Sequence, residues 1–426
     1  MVSTKIVMKK GFDRIADRSG ILHSALLAGH REGNQKEKNR TPMVVWLILV
    51  FTFVAWVPGP RLFGYELSGI SWFVPLLFAL FLVIPRAYLV RFPVFIWIPW
   101  VVFVLGEWFV SPYHSLQRTA QLLSPLAIGV AVSTYEMNEY DLKRFLGLLK
   151  NLIVALIVLV VLKTGIITGS LSKAAALAPE VMTVLLLCTV FGTDYLMGSK
   201  EALVWWGILA AIPVIAITRT AIVATALTIP LNLAPMKIRK KILWLVIISI
   251  LGVIIFYTPR VQSKMFKQGE GEMSDVLSED FSDSGRFYMW ERMRAGVSEN
   301  PWFGHGTGAG EDLVKKITGG ISNYPHNDWL LTEYDYGKVG VVLYALSLFM
   351  AVLHALRKAR ATEGTTKTLF LAGASSFIFY SMMMYTDNIM VYASYFGNLQ
   401  FTILGLAYAA GRRDKPPRMA KWRIGW

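Results

Sequence analysis

Long apolar runs recur along almost the whole chain of 426 residues, and they constrain its fold more than any other feature. Many of them approach the roughly 20 residues that a helix needs to cross the hydrocarbon core of a bilayer. Because lipid offers no partners to backbone amides, such runs must form helices or closed barrels, and their continuous character favours helices over alternating strands. The sequence therefore predicts an all-α polytopic membrane protein.

The apolar runs divide the chain into twelve predicted transmembrane helices. These helices cover Met43–Val57, Gly69–Ile84, Val94–Val110, Gln121–Thr134, Leu148–Thr168, Leu177–Met197, Leu203–Thr218, Ala221–Leu233, Ile242–Tyr257, Val339–Leu356, Thr368–Tyr385 and Tyr395–Ala410. The predicted parts are a tail at 1–42, helices one to nine at 43–257, one large loop at 258–337, helices ten to twelve at 338–410 and a second tail at 411–426.

The net charge of +15 is explained by membrane topology. With the N-terminus inside, roughly two-thirds of all Lys and Arg fall on the inner side, as the positive-inside rule requires. Both termini are therefore expected in the cytoplasm and the 258–337 loop outside. This arrangement argues against a nucleic-acid partner. The N-terminal tail contains apolar residues at loosely helical spacing, which fits either a helix on the inner membrane surface or a flexible tail.

His326 is the histidine on the outer side with the clearest functional context. Pro325 holds the preceding residue in an extended conformation, and a helix is expected to follow. An imidazole at this place can accept a proton from a hydroxyl near neutral pH. The alternative is structural, with Asn327 and Asp328 capping the helix. The other outer histidines, His114 and His305, fit ordinary loop positions.

Arginines on the outer side are the second unusual feature, because outer loops are normally poor in them. Arg219, in ITRTAIVATAL, lies at the outer ends of two spans, where it either has a function or extends its charge into the interface. Arg286 is expected in the first turn of a helix capped by Asp283 or Ser284, a position that suits an anion between the guanidinium and the helix amides. Arg118 is a further candidate phosphate contact.

This combination indicates chemistry at a sugar–diphosphate bond. Guanidinium groups match phosphate oxygens, and a histidine can take the proton of an attacking hydroxyl. The single cysteine, Cys188, excludes a disulfide within the chain, and the outer segments contain neither an acidic pair at metal-ligand spacing nor a nucleophile–histidine–acid pattern. No cofactor and no metal are expected.

Four motifs resemble the bacterial superfamily of O-antigen ligases and O-antigen (exopolysaccharide) polymerases, which are membrane glycosyltransferases. The motifs are ITRTAIVATAL, SGRFYMWERM, PWFGHGTGAG and PHNDWLLTEYDYGKVG. The resemblance covers about 200–340. The family's last motif often reads E-x-G-x-x-G, whereas Glu333 lies two residues further from the glycine in this chain.

The resemblance implies a metal-independent, inverting glycosyl transfer on the periplasmic face of the bacterial inner membrane, in lipopolysaccharide or exopolysaccharide synthesis. Arg219 and Arg286 would bind the diphosphate of an undecaprenyl-linked glycan donor, and His326 would activate the hydroxyl of the acceptor, either a glycan or lipid A–core. Apart from the resemblance, Arg118 is predicted from its outer position alone to be a further substrate contact, and Asn327 is predicted to be another. The sequence does not separate a polymerase from a ligase.

Two other classes of function compete with this hypothesis. A transporter or flippase of a lipid-linked glycan would usually show internal repeats or charges at the bilayer midplane, and neither is evident. A noncatalytic membrane scaffold is the third possibility.

Overall fold

The protein is helical throughout almost all of its described length. The computed structural model describes residues 41–57, 61–62, 65–66, 71–164, 177–277, 282 and 285–410, so the two predicted tails lie almost wholly outside these residues. The α-helices are α1 Met43–Trp56, α2 Phe73–Val83, α3 Ile98–Val110, α4 Leu116–Ser133, α5 Glu139–Thr164, α6 Ala178–Leu196, α7 Lys200–Ala216, α8 Arg219–Leu227, α9 Ile238–Phe256, α10 Pro259–Met265, α11 Arg286–Glu299, α12 Ala309–Ile317, α13 Asp328–Arg360, α14 Gly364–Met384 and α15 Gly397–Ala410.

Shorter elements complete the described structure. Three 3-10 helices cover Ile84–Leu89, Val94–Ile96 and Met273–Leu277. The all-α prediction is confirmed except for one short antiparallel pair, β1 Arg61–Leu62 with β2 Tyr65–Glu66.

Membrane-capable helices are present, as the sequence predicts. Among the described residues, α5 and α13 are each long and apolar enough to cross a bilayer, and α9 with α10 forms a third candidate bent by 79°. Helices α1 and α3 and the stretch Phe73–Leu89 are apolar but shorter. A helix lies at each of the twelve predicted positions, but twelve membrane crossings and the outer location of the 258–337 segment remain predictions.

The core of the bundle fixes the end of α14. Nearly every residue of α14 and α15 is buried, and α13 packs beside α14. The chain between α14 and α15 contains Asp387 and Asn388, and Asn388 is fully buried. A turn held at both ends by buried helices is a stable support for the side chains that contact it.

The segment between α9 and α13 forms a second, smaller core. Its apolar residues come from α11, α12 and the first two turns of α13: Met289, Trp290, Met293, Val297, Ala309, Val314, Leu330, Leu331 and Tyr334. The indole of Trp290 donates a hydrogen bond of 2.7 Å to the carbonyl of Pro325. Trp290 therefore packs within this segment.

A kink at Gly337 lets the PWFGHGTGAG loop lie directly against α13. Gly337 has φ 64° and ψ −171°, a conformation available essentially only to glycine. A Cβ there would lie 2.3 Å from the carbonyl carbon of Trp302. The freed amides of Lys338 and Val339 donate to Pro301 and Trp302 at 2.9 and 3.1 Å. The PWFGHGTGAG and PHNDWLLTEYDYGKVG motifs therefore pack directly against each other.

Asp335, and not Glu333, stands at the E-x-G-x-x-G spacing before Gly337. Asp335 is buried and accepts hydrogen bonds from the amides of Gly308 and Gly310, at 3.0 and 2.8 Å, at the start of α12. It lies two residues before Gly337, so DYGKVG keeps the E-x-G-x-x-G spacing with aspartate in place of glutamate. The apparent departure from the family pattern therefore disappears.

Candidate active site

His326 is held in an unusual backbone conformation beside the turn that follows α14. Its φ of 54° lies in the left-handed region, which non-glycine residues occupy only at a cost. The amide of His326 donates to Oδ1 of Asn388 at 2.9 Å, and the Trp290 indole holds the carbonyl of Pro325. Both contacts hold the peptide group between Pro325 and His326, and the side chain of His326 is 34% exposed and thus open to a ligand.

Asp387 is the carboxylate partner of His326. Its Oδ1 lies 3.4 Å from Nδ1 of the imidazole, while Nδ2 of Asn388 lies 3.1 Å from the same nitrogen. When Nδ1 carries the proton it donates to Asp387, which leaves Nε2 as an acceptor. When Nδ1 instead accepts from Asn388, the neutral ring carries its proton on Nε2. The Asp387 contact is the one that prepares Nε2 to act as a base.

The two residues after His326 anchor the start of α13. Asn327 is the cap residue, and its side chain accepts a hydrogen bond of 2.9 Å from the amide of Leu330. Asp328 is buried and accepts from the amide of Met390 at 2.6 Å. The capping alternative is therefore correct for Asn327, while a contact of Asn327 with substrate remains a prediction. The Asp328 contact ties the start of α13, and so the residues next to His326, to the chain that follows Asp387.

Arg286 binds the same turn as His326. It is the first residue of α11, as expected, with Gly285 at the cap position; Asp283 and Ser284 lie outside the described residues. Its Nη1 donates to the carbonyl of Thr386 at 2.8 Å, and its buried Nε has no hydrogen-bond partner among the described residues. The guanidinium therefore lies one residue away, along the turn, from the carboxylate that contacts His326.

Arg219 and Lys264 extend this cluster of positive charge. Arg219 begins α8 and donates from Nη1 to the carbonyl of Ser282 at 2.9 Å. Lys264, on α10, donates to the carbonyl of Ile217 at 2.8 Å. Helix α10 turns away from α9 by 79°, which takes Lys264 out of the apolar run.

The positive charges of Arg219 and Arg286 act on Lys264. Although much of its side chain is exposed, partial loss of hydration lowers the pKa of Lys264, and the positive charges of Arg219 and Arg286 lower it further. Lys264 is therefore close enough to both arginines for their charges to act on it. We refer to Arg219, Lys264 and Arg286 as the cation cluster.

Lys264 and Asp387 were both missed by sequence reasoning. Lys264 is one of 43 basic residues and stands alone in VQSKMF, so only its position in space distinguishes it. Asp387 lies two residues after the predicted span Thr368–Tyr385, where a polar residue is ordinary. Its signal was the dipeptide Asp387-Asn388, two polar residues directly after a long apolar helix.

Arg118 lies in a different environment from the cation cluster. It is 4% exposed, and its Nε lies 3.3 Å from Oε1 of Glu311. The carboxylates of Asp328 and Asp335 also act on it electrostatically. A phosphate contact by Arg118 remains a prediction, but three neighbouring carboxylates disfavour a phosphate at this place.

His305 has the loop role expected of it. Its Nε2 lies 2.8 Å from the carbonyl of Gly296, and its ring stacks on Tyr334 with centroids 4.5 Å apart. His114 is exposed and lies near Trp108.

Comparison with known proteins agrees with the motifs. Residues 202–345 match the model of a protein family described as O-antigen ligase. The match begins within α7 and ends within α13, so it includes Arg219, Lys264, Arg286 and His326. No curated protein matches the chain. The resemblance inferred from the sequence is thereby confirmed.

Proposed function

We propose that this chain, a member of the O-antigen ligase and polymerase superfamily whose family domain spans residues 202–345, transfers a glycan from undecaprenyl diphosphate to a sugar hydroxyl. The reaction takes place on the periplasmic face of the bacterial inner membrane. The acceptor is a growing glycan in a polymerase or lipid A–core in a ligase.

The cation cluster provides the binding site for the donor diphosphate. Arg219, Lys264 and Arg286 belong to three different helices and converge by way of the contacts to Ser282, Ile217 and Thr386. Guanidinium groups bind phosphate oxygens through paired hydrogen bonds, and a lysine adds a compact charge. As the bond to the sugar breaks, negative charge grows on the leaving diphosphate, and these three groups stabilise it.

His326 acts as the general base in this scheme. Nδ1 donates to Asp387, and Nε2 takes the proton of the acceptor hydroxyl. The hydroxyl oxygen attacks the anomeric carbon from the face opposite the diphosphate and forms the new glycosidic bond. The bond between that carbon and the diphosphate oxygen breaks with its electron pair, so undecaprenyl diphosphate leaves and the anomeric configuration is inverted.

The observation that carries the proposal is the shared turn Thr386–Asn388. Arg286 binds the carbonyl of Thr386, while His326 contacts Asp387 and Asn388. The base and the phosphate-binding cation both contact this turn of three consecutive residues. The donor and the acceptor can therefore be held side by side, as the reaction requires. A transporter requires no such pairing of base and cation.

The exposed apolar surface of α9 agrees with access for a polyprenyl chain. Side chains such as Ile242, Leu243, Val246 and Ile250 are exposed along this helix, and Phe256 at its end is its buried residue. In a bilayer this face contacts acyl chains, so a carrier lipid can lie along α9 with its diphosphate near α10.

Replacing His326 with alanine tests the assignment. We expect the purified variant to bind the lipid-linked donor as wild type does, while product formation falls by about 10²–10⁴-fold because the base is lost. His354→Ala is the matched control, since His354 lies in the C-terminal part of α13, the helix that follows His326, and contacts Tyr408 away from the site. Unchanged product formation by His326→Ala would remove the catalytic role.

A further inference from the structure

A polar cleft of about 400 Å³ lies next to the candidate active site and is not used by the mechanism above. It is formed by the start of α4, the N-terminal half of α12 and the chain before His326. Its lining includes Gln117, Arg118, Gln121, Glu311, Asp312 and Tyr324.

Arg118 gives this cleft an unsatisfied, buried hydrogen-bond donor. The residue is 4% exposed, and its Nη1 has no hydrogen-bond partner among the described residues. The other side of the guanidinium is held by Glu311. A buried donor without a partner costs free energy, and a ligand oxygen in the cleft removes that cost.

The charges lining the cleft balance, in contrast to those of the cation cluster. Arg118 pairs with Glu311, and Lys315 lies 3.7 Å from Asp312. Two cations and two carboxylates give no net attraction for phosphate. Amide side chains at Gln117 and Gln121 and the phenol of Tyr324 add neutral donors and acceptors. This set suits a ligand rich in hydroxyl groups and without strong negative charge.

The cleft and His326 are joined by a short stretch of chain. Asn323 and Tyr324 line the cleft, and Pro325, whose carbonyl is held by Trp290, leads directly to His326. A sugar bound beside Tyr324 therefore lies next to the stretch of chain that leads to His326, two residues further on. The donor diphosphate is bound through other elements, α8, α10 and α11.

We infer that this cleft binds the acceptor glycan as an uncharged, hydroxyl-rich sugar, with Arg118 donating to a sugar oxygen and not to phosphate. The inference rests on the proposed function, because it names the acceptor subsite of that reaction. It assigns the two substrates to two chemically different places, a balanced polar cleft for the acceptor and a cation cluster for the donor.

Two binding measurements on the full-length protein in detergent test this division. The first probe is a dephosphorylated oligosaccharide released from the surface polysaccharide of the producing bacterium, and the second is geranylgeranyl diphosphate. We expect Gln117→Trp, whose indole occupies space in the cleft, and Asp312→Ala, which removes a charged acceptor from its lining, each to weaken oligosaccharide binding. For Asp312→Ala the loss should be about tenfold, as expected for one lost hydrogen bond to a charged group. Both variants should bind geranylgeranyl diphosphate as wild type does.

Arg286→Ala and Lys316→Ala complete the experiment. Arg286→Ala should lose affinity for geranylgeranyl diphosphate and keep oligosaccharide binding, whereas Lys316→Ala, on α12 outside the cleft lining, should change neither. Unchanged oligosaccharide binding in both cleft variants, or no oligosaccharide binding by wild type, overturns the acceptor subsite alone. Loss of diphosphate binding in the cleft variants also overturns it, because the anion then occupies the cleft. Normal diphosphate binding by Arg286→Ala counts against the proposed function instead.

Discussion

At the residue scale, the backbone conformation of His326 indicates a functional position more clearly than its side chain alone does. A histidine at φ 54° is strained by about 1–2 kcal/mol. That strain persists because Asn388 and Trp290 hold the Pro325–His326 peptide group, while Asn327 on the other side caps α13. Strained residues cluster at functional sites, where the geometry is part of the chemistry.

Asp387→Asn tests the orientation of the imidazole. The amide presents no negative charge to Nδ1–H, so the ring loses its preference for the form with Nε2 as acceptor. We expect product formation to fall by part of the roughly 10²–10⁴-fold that a positioned base contributes, with donor affinity unchanged. Steady-state rates and donor binding measured on the same preparation check this. A variant with wild-type rates would show that Asp387 does not position the ring.

Lys264→Arg tests the cation cluster through pH. Because the pKa of Lys264 is lowered, its charge is lost at a lower pH than that of a free lysine, and donor affinity should decline as alkaline pH removes it. Binding of the donor opposes this loss, since the diphosphate stabilises the charged amine. Arginine stays charged, so donor affinity of Lys264→Arg should stay constant over the same alkaline range. Identical pH profiles for wild type and variant would exclude Lys264 from the site.

At the element scale, the kink in α13 supports the whole polar segment. A Cβ at Gly337 meets the backbone of Trp302 and requires a conformation that other residues avoid. We expect Gly337→Ala to lower the free energy of unfolding by about 1–3 kcal/mol, seen as a lower Tm in detergent. Gly207→Ala is the control, because nothing lies within 4 Å of a Cβ there and the helix interior gains from alanine. Equal Tm values for Gly337→Ala and wild type would contradict the packing described here.

Asp335 and Glu333 give a second test of the same element. Asp335→Ala leaves two amides at the start of α12 without their acceptor, which costs about 1–3 kcal/mol. Glu333→Ala removes a partly exposed carboxylate of the same helix and should change Tm little. The reverse order of the two effects would restore Glu333 as the acidic residue of the motif.

The sequence predicts the helices well because a helix surrounded by lipid must be apolar, so each long apolar run marks the position of a helix. It also singles out Arg219, since a charge beside an apolar run is costly, and it predicts Arg286 and His326 as further site residues. It does not reveal Lys264, Asp387 or the acidic surroundings of Arg118. These depend on which helix ends meet, and no local pattern encodes the pairing of residues 286 and 386. Nor does the sequence reveal that Asp335, rather than Glu333, makes the contact to the start of α12.

At the scale of the whole molecule, the proposal requires that the active site and the inner loops lie on opposite sides of a membrane. Single cysteines in a Cys188→Ala background test this, since Cys188 is the chain's one cysteine and is buried. We expect a membrane-impermeant maleimide added outside spheroplasts to label Ile321→Cys, which lies in the 258–337 segment and is 94% exposed. Ala361→Cys, at the opposite end of α13, should react only after the membrane is permeabilised. Labelling of both positions from outside would contradict the topology.

The central claim is that the cation cluster binds a lipid diphosphate, and that the neighbouring imidazole of His326 does not contribute to this binding. The most direct measurement is the dissociation constant of undecaprenyl diphosphate for wild type, His326→Ala, Arg219→Ala and Arg286→Ala. We predict wild-type affinity for His326→Ala and affinities weaker by about tenfold or more for each arginine variant, because a charge-assisted hydrogen bond is lost. Wild-type affinity in both arginine variants would contradict the claim.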